Sequence, residues 1–172
     1  MDPPCLTRVQ PATRARATAR HAAELPVRGH PPIRVLLLED DLDTIEALSP
    51  VLSLDEGFEA EVVHEVATCL ERIRVSMAIP DGGQSHPYDV LLVDILLQDG
   101  HLGTEVLETA MVDPKLGLPP VLVCTALSGN YLATRVPELA ANNIRVLLKP
   151  FDIATLTAEL RAAANRDKDD QV

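Results

Sequence analysis

Five short aliphatic runs, each followed by a helical or polar stretch, constrain this chain more than any other feature. The runs are 33–38 (IRVLLL), 59–64 (EAEVVH), 89–93 (DVLLV), 120–124 (PVLVC) and 144–148 (IRVLL). Segments this short and this rich in Val and Leu suit strands buried on both faces. The first helix is expected around 43–54, with Ile45, Leu48 and Leu52 at helical spacing and a kink or restart at Pro50. A second, about 66–78, presents Val66, Leu70, Ile73 and Met77 on one face, and a third, about 103–112, offers Val106, Leu107, Ala110 and Met111. A fourth falls within 130–142, interrupted by Pro137. The fifth, about 152–164, starts on Asp152 as a cap and buries Ile153, Leu156 and Leu160.

Five strands and five helices in strict alternation predict an α/β fold with a doubly wound, open parallel sheet. For a domain of this size the flavodoxin-like strand order 2-1-3-4-5 is favoured. The domain spans 33–164, with a polar loop at 79–88. Residues 1–32 hold six of the 14 prolines and little apolar periodicity, and are expected to be a disordered extension. Residues 165–172 (NRDKDDQV) are expected to be a frayed tail.

Charge and composition narrow the function. The formal net charge is −11, although residues 1–32 carry five Arg against only Asp2 and Glu24. The acidic excess therefore lies in the folded part, which repels phosphate backbones and argues against direct DNA binding. Such a field suits Mg²⁺ and basic protein partners. With two Phe, two Tyr and no Trp, platforms for stacking single-stranded bases are not expected. Cys5, Cys69 and Cys124 are odd in number and far apart, without disulfide or zinc spacing. Cys69 and Cys124 read as small core residues, and the pattern favours a reducing, cytoplasmic setting. The longest uncharged run, Leu116 to Thr134, is broken by Gly and Pro, so no membrane span is expected.

In an open α/β sheet, ligands bind beyond the carboxyl ends of the strands. Strand one runs out into Glu39, Asp40 and Asp41, strand three ends at Asp94, strand four at Thr125, and strand five at Lys149 followed by Pro150. Clustered carboxylates repel unless a cation joins them, and hard oxygen ligands suit Mg²⁺. A metal would let a carboxylate attack phosphorus. Lys149 and Thr125 could then hold the remaining phosphoryl oxygens. Asp41 and Asp43 read instead as helix caps. His21, His30, His64, His86 and His101 show no ligand spacing and read as surface residues.

The segments LLLEDD, LLVDILLQDG, LVCTA and LLKPF resemble, in order, the four signature blocks of response regulator receiver domains. The resemblance covers about 33–164. It implies that Asp94 is the phosphoacceptor, that Glu39 and Asp40 are the acidic pair with Asp40 the better direct metal ligand, and that the backbone carbonyl of Leu96 completes the metal site. Thr125 matches the hydroxyl that moves toward the phosphoryl group, and Lys149 the essential lysine, whose bond to proline is often cis. It further implies a stand-alone regulator or phosphorelay intermediate in two-component signalling, not a metabolic enzyme. A sensor histidine kinase or histidine phosphotransfer protein would act upstream, and an effector protein downstream.

Three departures from the pattern stand out. Gln98 occupies a position where the family commonly has proline, and Gly103 lies one position late. Val146 replaces a frequent aromatic, its expected role being core packing. The segment from Thr125 to Lys149 is long and contains Pro137, so output is expected through the 126–131 loop and the fourth helix, with Tyr131 a substitute aromatic. Among other classes, an aspartate-nucleophile phosphohydrolase usually has an acid where Leu96 stands, and an FMN binder needs a phosphate loop that EDDLDT would repel. A pseudo-receiver that only binds protein would have no need of the acids, Thr125 and Lys149.

Overall fold

The computed structural model of the chain describes residues 31–77, 87–98, 100–113, 115–127, 139 and 144–169. The elements are β1 (Ile33–Leu38), α1 (Leu42–Leu48), a 3₁₀ turn (Leu54–Glu56), β2 (Phe58–Val63), α2 (Val66–Met77), β3 (Val90–Asp94), α3 (Glu105–Val112), β4 (Val121–Thr125), β5 (Arg145–Leu148) and α4 (Ile153–Asp169). All strand pairs are parallel and the order is β2-β1-β3-β4-β5, as the alternation predicts. The helix expected within 130–142 lies outside the described residues apart from Leu139, and so does the extension expected over 1–32 apart from its last two residues.

Alternating side chains of the central strands feed opposite faces of the sheet. Val35 and Leu37 pack with Leu48, Leu156 and Leu160 from α1 and α4. Leu36 and Leu38 pack with Cys69, Leu70, Ile73 and Val106 from α2 and α3. Each fully buried Leu contributes roughly 1.5–3 kcal/mol. Every residue of β3 is buried, which accounts for its unbroken aliphatic run. The edge strand β5 is different, since it pairs with β4 alone. Only Leu147 is buried there, while Val146 is 38% and Leu148 47% exposed. The core role expected for Val146 is therefore corrected: alternation puts its side chain on the face opposite buried Leu147, and that face of the strand is exposed at Val146 and Leu148.

Several element ends also differ from expectation. The first helix stops at Leu48 because Pro50 cannot donate the next hydrogen bond. Val51 and Leu52 remain buried beyond it. Ile153 and Met111, expected to face the core, are exposed, the first in the opening turn of α4 and the second near the end of α3. The last helix extends to Asp169, into the segment expected to be the tail, a stretch that contains neither Gly nor Pro. Its start is as expected: the Asp152 carboxylate accepts the Thr155 N–H at 2.7 Å. No helix among the described residues is long and apolar enough to cross a membrane.

Candidate functional site

Strand order reverses between β1 and β3, which opens a crevice at their carboxyl ends. Register aligns Leu38 with Val93, so the next residues, Glu39 and Asp94, lie abreast. One strand further, the Lys149 N–H donates to the Thr125 carbonyl at 2.8 Å and fixes the end of β5 to that of β4. The Lys149–Pro150 bond is cis.

The inner half of the crevice is an ion triad. Lys149 Nζ donates to Glu39 Oε2 at 2.8 Å and to Asp94 Oδ2 at 2.7 Å. Glu39 is 1% and Asp94 7% exposed. Burial pushes the Glu39 carboxyl above its ordinary range, offset only in part by the bonds from Lys149 and the Asp41 N–H. Burial would lower the Lys149 ammonium, but hydrogen bonds and charge from Asp94 and Glu39 outweigh it and hold it above its usual value. The remaining acceptors are also engaged: Glu39 Oε1 by the Asp41 N–H at 3.1 Å, and Asp94 Oδ1 by the Leu96 N–H at 3.1 Å. Thr125 is fully buried beside them and its Oγ1 accepts the Leu127 N–H at 3.2 Å.

The outer half belongs to Asp40. Its Oδ2 accepts the main-chain N–H of Gln98 at 2.6 Å, while its Oδ1 is buried and has no hydrogen-bond partner. A buried, unpaired carboxylate oxygen is costly, and a cation would relieve it. Three carboxylates against one ammonium leave about two negative charges, matching a divalent ion. No three imidazole, thiol or carboxylate groups form a ready-made cage among the described residues. Mg²⁺ does not require one, because it keeps several waters and takes one or two carboxylates. The residues present thus fit Mg²⁺.

Neighbouring groups complete the picture. Asp41 is the cap of α1, accepting from the Asp43 N–H and, at 2.8 Å, from the Thr44 hydroxyl. His64 and His101 are exposed as expected, and both line a cleft of about 440 Å³ beside Asp40. His64 Nδ1 lies 3.0 Å from the Glu39 carbonyl, which can only accept, so that nitrogen carries the proton. Cys69 and Cys124 are buried free thiols, both pushed up to about 12 by burial. His21, His30, His86 and Cys5 lie outside the described residues.

Sequence reasoning missed two features. One is the Gln98 contact with Asp40, hinted at only by a non-proline residue in that place. The other is the close approach at Gly103, whose added Cβ would lie 1.9 Å from the Asp94 carbonyl oxygen. A glycine shortly after Asp94 was its only signal.

Solved structures of the same fold are numerous. A sensor protein from a Polaromonas species superposes with a TM-score of 0.61 at 25% identity, covering 78% of this chain and 98% of its own. A chemotaxis protein of Vibrio cholerae gives 0.59 at 20%, covering 77% and 98%. A response regulator receiver protein from Sinorhizobium medicae gives 0.57 at 21%, covering 78% and 96%. This chain has the receiver-domain fold. No family model and no curated protein matches the sequence. Within this receiver fold, Glu39, Asp40, Asp94, Thr125 and Lys149 all stand at the carboxyl edge of the sheet.

Proposed function

We propose that this receiver domain takes a phosphoryl group onto Asp94 from a phosphohistidine donor, with Mg²⁺ held by Asp40, Asp94, Glu39 and the Leu96 carbonyl. The observation that carries the reading is the Lys149 ammonium bonded to both Glu39 and Asp94, beside a buried Asp40 oxygen left without a partner.

A carboxylate oxygen of Asp94 forms the new O–P bond as the donor's P–N bond breaks. The electron pair leaves on the imidazole nitrogen, which takes a proton from solvent. When bound, Mg²⁺ supplies positive charge against the phosphoryl oxygens. Lys149 exchanges its Asp94 oxygen for a phosphoryl oxygen and so keeps its charge paired throughout. Thr125 donates its hydroxyl to a phosphoryl oxygen, and because its Oγ1 also accepts the Leu127 N–H, its movement is passed to the start of the β4 exit loop. A sensor histidine kinase or phosphotransfer protein is the donor, and an effector protein reads the altered surface. The domain works as a signalling switch and not as a metabolic enzyme.

Intact mass after incubation with acetyl phosphate or phosphoramidate tests this reading. One phosphoryl group is expected in Mg²⁺, and none with EDTA or in Asp94→Asn. Unchanged labelling in Asp94→Asn would falsify it.

A further inference from the structure

We infer that the main-chain N–H of Gln98 is a positioning group for Asp40, turning that carboxylate so that Oδ1 alone is presented to the cation. The inference rests on the reading of the site given above. Four of the six carboxylate oxygens in the crevice are engaged within the inner triad and its flanking amides. Asp40 differs: one oxygen is held at 2.6 Å and the other is buried with nothing to bind. An amide bonded to an ionised carboxylate at this distance is a strong, directional contact. It fixes the rotation of the carboxylate before any cation arrives.

The loop carrying Gln98 is built to hold that N–H in place. Its base is pinned where the Gly103 N–H donates to the Ile95 carbonyl at 3.0 Å and Leu96 pairs with Leu102. Its tip turns through the Gly100 N–H to the Leu97 carbonyl, with Gly100 at φ +80°. That left-handed conformation suits glycine. Gln98 reaches Asp40 through its backbone, not its side chain, so any residue except proline can supply the contact. Groups that orient a metal ligand in this way typically alter affinity about 10- to 100-fold when lost.

Calorimetric titration of the full chain with MgCl₂ tests the inference. Gln98→Ala keeps the N–H and should bind within about twofold of wild type. Gln98→Pro removes it and should bind about tenfold more weakly or worse. Because proline could also distort the loop, an amide-to-ester replacement at position 98, made by semisynthesis, removes the N–H while keeping the side chain, and should match the proline variant. In the metal-free protein the Gln98 amide should exchange slowly with solvent, and rapidly in Asp40→Ala. Wild-type affinity in the ester protein, with binding lost in Asp40→Asn, overturns the positioning role alone. Equal losses in Gln98→Ala and Gln98→Pro overturn it as well, since the side chain would then be responsible. A wild-type protein that takes up no Mg²⁺ overturns the reading of the site and the inference together.

Discussion

Glu39 and Asp40 are adjacent acids, yet they belong to halves of the crevice that treat charge in opposite ways. In the inner half, Glu39 and Asp94 share one lysine, and every carboxylate oxygen already has a partner. In the outer half, Asp40 has one partner and one orphaned oxygen. The inner half pairs all of its carboxylate oxygens within the protein as it folds, whereas the outer half leaves one oxygen for a ligand. Stability should therefore depend mainly on the inner half and cation affinity mainly on the outer.

The largest break in this contrast is expected from Lys149→Met. It strands two buried carboxylates and should cost about 3–5 kcal/mol at pH 7, measured by urea unfolding. Part of that loss should return as the pH falls through the raised titration range of Glu39. Burial raises the folded-state pKa of Glu39, so in the window above its unfolded value the folded protein binds more protons, and stability falls as pH rises. Removing Lys149 widens that window. Mg²⁺ affinity in the same variant should be similar or higher, because a nearby cation is gone. A variant that stays stable but loses Mg²⁺ would reverse the assignment of the two halves.

A smaller effect sharpens the comparison. Asp41→Ala should cost about 1 kcal/mol through loss of the α1 cap. It should change Mg²⁺ affinity little, since the Asp41 carboxylate faces Asp43 and Thr44 and not the crevice. A cap variant with unchanged stability and much weaker Mg²⁺ binding would move Asp41 into the outer half.

Much of this arrangement was legible in the sequence, because burial and strand ends leave strong marks. The uninterrupted LLV before Asp94 reflects a strand buried on both faces, and the polar residue closing each run lands at the sheet edge by necessity. Asp41 and Asp152 were readable as caps because their spacing to the following helix is local. What the sequence hid depends on tertiary position. Val146 and Val123 are both strand valines, but one lies on an edge strand and is exposed while the other is fully buried. The Gln98 contact is equally silent, since a main-chain N–H spanning 58 positions to Asp40 carries no residue preference. Output through the 126–131 loop and Tyr131 falls outside the described residues beyond Leu127.

The most direct measurement is chemical location of the phosphoryl group. The full chain would be incubated with phosphoramidate and Mg²⁺, reduced with borohydride, which converts an aspartyl phosphate to homoserine, and mapped by peptide mass spectrometry. Homoserine at position 94, and its disappearance when EDTA is present, is the predicted result. Homoserine at 40, 41 or 43 with Asp94 intact would contradict the account, because the acceptor would then lie outside the lysine-bound half of the crevice.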